Sequence, residues 1–91
     1  MKKSDDKITR FEQDGFYIDI VETEDAYAKA VGRRYFEAWL QHKNFGMSTL
    51  MFGSATDDFE YFLDLVDKNL NIYIENYYHE VINHDEEQVY R

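Results

Sequence analysis

Between residues 57 and 82 the chain carries neither proline nor glycine, and Phe59, Phe62, Leu63, Val66, Leu70, Tyr73, Ile74, Tyr77 and Val81 recur there at steps of three and four residues. That spacing gathers them on one stripe of an α-helix, and the stripe has to be buried. Thr56 or Asp57 caps the helix, with Glu60 three residues beyond Asp57 in capping-box spacing and acids clustered where the helix dipole favours them. A helix over these residues is roughly 39 Å long at 1.5 Å per residue, whereas a strand of seven residues spans about 23 Å. The helix is therefore expected to overhang any sheet it covers. Its last turns, with Ile74, Tyr77, Tyr78, Val81 and Ile82, then need cover from residues 24–34, from a second copy of the chain, or from a partner.

The sheet is legible upstream. Asp14-Gly15 supplies the positive φ angles of a two-residue turn between alternating segments, which predicts a β-hairpin over residues 8–23. Closing on that turn pairs Gln13 with Phe16, Phe11 with Ile18 and Thr9 with Ile20. Phe11, Phe16, Ile18 and Ile20 then share the core face, while Ile8, Arg10, Glu12, Tyr17, Asp19 and Val21 share the other, with Arg10 directly across from Asp19. In residues 24–34, Asp25 is placed to cap a short helical turn over 26–31 that ends at Gly32; bulge and lid are the alternatives. Alternation returns over residues 35–42, with Phe36, Ala38 and Leu40 on one side. Lys43-Asn44-Phe45-Gly46 has turn chemistry, and residues 47–52 return as a fourth strand before Gly53 and Ser54 break it.

The expected fold class is α+β: an antiparallel sheet of about four strands, in two hairpins, packed against one long C-terminal amphipathic helix. One domain over residues 1–91 accounts for the chain, divided into a flexible arm 1–7, a sheet region 8–54, the long helix 56–82 and an acidic tail 83–91.

The absence of cysteine rules out disulfides and thiolate zinc sites, which points to the cytoplasm. Met1-Lys2-Lys3-Ser4-Asp5-Asp6-Lys7 lacks the apolar stretch of a signal peptide, and no membrane association is expected. His79-Glu80-Val81-Ile82-Asn83-His84 departs from the zincin pattern. Its second histidine comes five residues after the first, which turns it about 140° away on a helix. His42, His79 and His84 are therefore expected to face solvent, with no metal and no cofactor. Gly15, Gly32, Gly46 and Gly53 form no phosphate loop, and Arg33-Arg34, read as part of a solvated loop, is too little for direct nucleic-acid binding. Nothing marks an enzyme.

Charge is the remaining signal. Net charge is −9, and residues 1–43 hold nine acids against eight bases, whereas residues 44–91 hold ten acids against Lys68 and Arg91. Such a field repels nucleic acid and anionic lipid and favours a basic partner. Asp57, Glu60, Asp64 and Asp67 follow helical steps that line one ridge, about 5–6 Å apart, where like charges cost stability. First-turn acids gain from the dipole, which accounts for Asp57 and Glu60 better than for Asp67. A carboxylate row of this kind can stand in for regularly spaced phosphates in a basic groove, with tyrosines in place of stacked bases; Tyr17, Tyr61 and Tyr78 are the ones turned toward solvent or the stripe edge. The candidate partner-binding residues are Asp57, Glu60, Tyr61, Asp64, Asp67 and Tyr78.

In size, charge asymmetry, lack of cysteine and combination of sheet with acidic helix, the chain resembles the small acidic inhibitors of phages and mobile elements, the anti-CRISPR and anti-restriction proteins that mimic nucleic acid. The resemblance implies stoichiometric binding to the basic surface of a nucleic-acid-handling protein, a Cas effector among them, in the host cytoplasm, without catalysis or cofactor. The alternative is a self-associating structural or regulatory module, antitoxin-like, forming a homodimer through the C-terminal half of the helix at Tyr77, Val81 and Ile82.

Overall fold

Asp14 (φ 54°) and Gly15 (φ 84°) both take the left-handed conformation of a type I′ turn. The hairpin they close pairs β1 (Lys7–Gln13) with β2 (Phe16–Thr23) in the register the turn dictates, Gln13 opposite Phe16 through Arg10 opposite Asp19 to Lys7 opposite Glu22. The computed structural model describes residues 7–82. Lys7 belongs to β1, and the rest of the expected arm, the tail 83–91 and His84 lie outside the described residues.

After β2, Asp25 caps α1 (Ala26–Ala30), its carboxylate accepting from the Ala28 amide at 3.0 Å; Gly32, at φ 74°, ends the turn. β3 (Tyr35–His42) and β4 (Ser48–Ala55) form the second hairpin, and the four strands lie in the order β1-β2-β3-β4, all antiparallel. Here the sequence expectation needs correcting, since β4 runs through Gly53 and Ser54 to Ala55. The Tyr35 ring of the neighbouring strand lies across Gly53, where a Cβ would overlap the tyrosine hydroxyl and stand 2.8 Å from Cζ. Glycine thus admits the ring that covers the strand, and pairing continues past it to the Thr56 amide on the Arg34 carbonyl at 2.8 Å. β4 is also bulged: the register shifts between Ala38 and Trp39, which oppose Phe52 and Leu50, so Met51 is the extra residue and is buried with the core.

α2 (Phe59–Tyr77) packs over β3 and β4 and is followed by a π-helical turn (Tyr78–Ile82). Its cap is Asp58, in place of the expected Thr56 or Asp57. Asp58 accepts from the Tyr61 amide at 3.0 Å, while its own amide donates to the Thr56 hydroxyl at 3.2 Å. Asp57 is turned the other way, accepting from the Arg34 amide at 3.3 Å, so the capping box with Glu60 does not form. Phe62, Val66, Leu70 and Tyr77 join Phe16, Ile18, Ile20, Phe36, Ala38, Leu40 and Met51 in the core, with Phe62 between the rings of Phe36 (5.5 Å) and Phe52 (5.4 Å).

α2 and the π-helical turn together run over residues 59–82, nearly the expected 57–82. Nineteen α-helical residues span about 28 Å, close to the length of an eight-residue strand. Cover for the last turns comes from within the chain, but not from residues 24–34. Tyr77 is 2% exposed, packs edge-on against Phe16 and donates its hydroxyl to the Met47 carbonyl; Val81 and Ile82 are half-buried against the core. Tyr77 is thus withdrawn from the dimer surface expected of it. His42, expected to face solvent, sits among Phe16, Phe45 and Tyr78, with Nδ1 accepting from the Asn44 amide at 3.0 Å. The β3 end that carries it has to close over the helix terminus.

Candidate functional site

The ridge on α2 begins two residues past the cap, at Glu60. Glu60, Asp64 and Asp67 are all exposed and separated by four and three residues, which makes them neighbours on the helix surface. The buried stripe of α2 faces the sheet, so this row lies on the flank nearer β1, where Asp67 borders a groove between the helix and the first hairpin. Tyr61, 52% exposed, stands three residues before Asp64 and adjoins it.

Two of the six candidate residues stand apart from this row. Asp57 precedes the helix and is held against Arg34. Tyr78 lies eleven residues beyond Asp67, about 16 Å along the axis. It packs edge-on with Phe16 at 5.7 Å and faces His42 at 6.4 Å. The structure therefore brings together Glu60, Tyr61, Asp64 and Asp67, and places Tyr78 at the opposite end of the helix.

Which cations answer these carboxylates decides what the row can do. Among the described residues, four of the six bases of the first half are engaged by acids of the same half, while Lys7 and Arg33 make no ion pair there. Arg10 Nε and Nη2 reach Asp19 at 2.7 and 2.9 Å, Arg34 Nε and Nη2 reach Glu22 at 2.9 Å each, Lys43 reaches Glu12 at 2.7 Å, and Lys29 lies 3.9 Å from Glu24. Arg10 and Lys43 also lie over the Tyr17 ring, 4.2 and 5.4 Å from its centre, so Tyr17 is half-buried under cations. Arg34, expected on a solvated loop, is likewise held, its guanidinium 4.9 Å from the centre of the Phe36 ring. Hydrogen bonding to these carboxylates raises Arg10, Arg34 and Lys43 above their ordinary pKa values. On α2 the one ion pair among the described residues is Lys68 with Asp64 at 3.2 Å, and Glu60 and Asp67 have no such partner there.

The groove beside Asp67 was not anticipated. Phe11, Ile18, Ile20, Leu63, Val66 and Leu70 line it, with Glu12, Gln13 and Asp67 at its edges, and it encloses about 220 Å³. Phe11 has the predicted register and the predicted face but is 42% exposed, because α2 lies over β3 and β4 and leaves β1 uncovered. A helix about 10 Å across cannot cover four strands spaced about 4.8 Å apart, so the sequence pattern already held the signal.

No protein family, curated protein or solved structure was found to match the chain. Among the described residues, no helix is long and apolar enough to cross a membrane.

Proposed function

We propose that the chain is a non-enzymatic acidic inhibitor that occupies the basic nucleic-acid-binding groove of an effector, in the manner of anti-CRISPR proteins. The supporting observation is the partition of charge: Arg10, Arg34 and Lys43 of the sheet half are engaged by acids of that half, while Glu60, Asp64 and Asp67 stand exposed with Lys68 as their one ion-pair partner among the described residues. A row of carboxylates rising in steps of 4.5–6 Å along a helix offers lysines and arginines of such a groove the charge density of a phosphate backbone, by about 1.5 Å of rise per residue. Tyr61 beside Asp64 adds a flat ring where a base would stack. Long-range attraction sets the on-rate, so affinity falls steeply with salt.

A plasmid-interference assay, run in cells that each carry one type of CRISPR effector, tests the reading. The wild-type chain is expected to restore transformation against at least one effector. The double variant Asp64→Lys, Asp67→Lys, with an unchanged circular dichroism spectrum, is expected to restore none. Intact interference in every strain, or a double variant as potent as wild type, would remove the proposal.

A further inference from the structure

The geometry points to the free edge of β1 as the interface with a second copy of the chain, paired antiparallel about a two-fold axis at Phe11. This goes beyond the inhibitory reading and does not depend on it. Of the two sheet edges, β4 is bulged at Met51, whereas β1 is a regular seven-residue strand without a bulge, and the chain has no proline to block it. The type I′ turn makes Gln13 and Phe16 a hydrogen-bonded pair, and such pairs alternate along an antiparallel ladder. Phe11 and Thr9 therefore bond inward to β2, and the backbone groups of Ile8, Arg10 and Glu12 point outward, unpaired among the described residues.

Charge then selects both the occupant and the register. An axis at Arg10 would set Arg10 against the partner's Arg10, an axis at Glu12 would set two glutamates together, and an axis at Thr9 would place Arg10 against the partner's Ile8. Only the axis at Phe11 sets Arg10 opposite the partner's Glu12, twice by symmetry, and like charges directly opposed are destabilising. Among the described residues, the atoms needed are spare. Arg10 uses Nε and Nη2 on Asp19 and keeps Nη1; Glu12 receives Lys43 on Oε1 and keeps Oε2. The result is a ladder of alternating sign across the axis, Asp19, Arg10, the partner's Glu12, the partner's Lys43. On the other face, Phe11 meets the partner's Phe11 at the mouth of the apolar groove lined by Ile18, Ile20, Leu63, Val66 and Leu70, covering what α2 leaves open.

Sedimentation equilibrium of the wild-type chain is expected to show a dimer. Arg10→Glu and Glu12→Arg, each confirmed folded by circular dichroism, are each expected to self-associate about tenfold more weakly, since each makes two like-charge contacts. Mixing the two variants restores complementary pairs and should restore the dimer. A cross-link supplies a second readout independent of those variants. In a chain free of cysteine, Phe11→Cys places the two Cα atoms about 4.5 Å apart, within the disulfide range of about 4.4–6.8 Å. Thr9→Cys lies on the same face but faces the partner's Gln13, about 13 Å from its own symmetry mate. Phe11→Cys should oxidise to a covalent dimer and Thr9→Cys should not. A monomeric wild type, a dimer indifferent to both charge variants, or equal cross-linking at the two positions would overturn the assignment.

Discussion

The Tyr77 hydroxyl donates to the Met47 carbonyl oxygen and so fastens the end of α2 to the residue that leads into β4. The same ring packs edge-on against Phe16, 5.3 Å between centres, at the first residue of β2. Tyr77→Phe keeps the ring and deletes the donor, and should cost about 1 kcal/mol in denaturant unfolding. Tyr77→Ala removes both and should cost about 3–5 kcal/mol, the range for large buried aromatics. Equal losses in the two variants would mean that the ring contributes nothing beyond its hydroxyl.

Gly53→Ala and Gly46→Ala should differ although both add one methyl group. At Gly53 the new carbon meets the Tyr35 ring and the Phe36 carbonyl oxygen at 3.3 Å, whereas at Gly46 it meets nothing within 4 Å. Gly53→Ala is expected to cost about 1–3 kcal/mol and to shift the near-ultraviolet signal of the displaced tyrosine. Gly46→Ala should stay within about 0.5 kcal/mol of wild type. Comparable stabilities would show that Tyr35 moves aside freely.

Neutralising single members of the ridge should change stability with opposite signs. Glu60 sits in the first turn, where the helix dipole favours a negative charge, so Glu60→Gln should destabilise by a few tenths of a kcal/mol, about 0.3. Asp67 lies beyond that turn and three residues from Asp64, so Asp67→Asn should stabilise by about 0.2–0.5 kcal/mol at low ionic strength. Melting curves at two salt concentrations separate the outcomes, and the Asp67 gain should shrink with added salt. A destabilised Asp67→Asn would point to a local partner for that carboxylate.

Acidification should reach the sheet through Glu22. The paired hydrogen bonds from Arg34 hold its carboxyl below the ordinary value of 4.5, against an opposing effect of burial. A folded pKa below the unfolded one means that the contribution is present above about pH 4.5 and is lost as pH falls through the lower folded value. Arg34→Met should therefore flatten the decline of the unfolding midpoint between about pH 5 and 3. Wild type and variant profiles that run parallel across that window would show that the pair contributes nothing.

Much of this architecture could be read before any coordinates, because its determinants are local. Asp14-Gly15 fixed a register that places Arg10 across from Asp19, and the spacing of Phe62, Val66, Leu70 and Tyr77 fixed the buried stripe of α2. What escaped the sequence was set by tertiary contact. Gly53 reads as a strand breaker until the Tyr35 ring is known to lie over it, and Asp58 displaces Asp57 as cap because the Arg34 amide claims the latter. The candidate site divides in the same way. Glu60, Asp64 and Asp67 share a surface by helical period alone, whereas Tyr78 and Phe11 depend on where the helix ends and which strands it covers.

Met51's bulge decides how far pairing between copies can propagate. Two chains joined at Phe11 use up both regular edges, and what they then present at either margin is a bulged strand with Gly53 near its end. Such an assembly is self-limiting: a two-fold contact closes on itself, and the irregular margins offer no template for a third chain or for the open-ended stacking that leads to fibres.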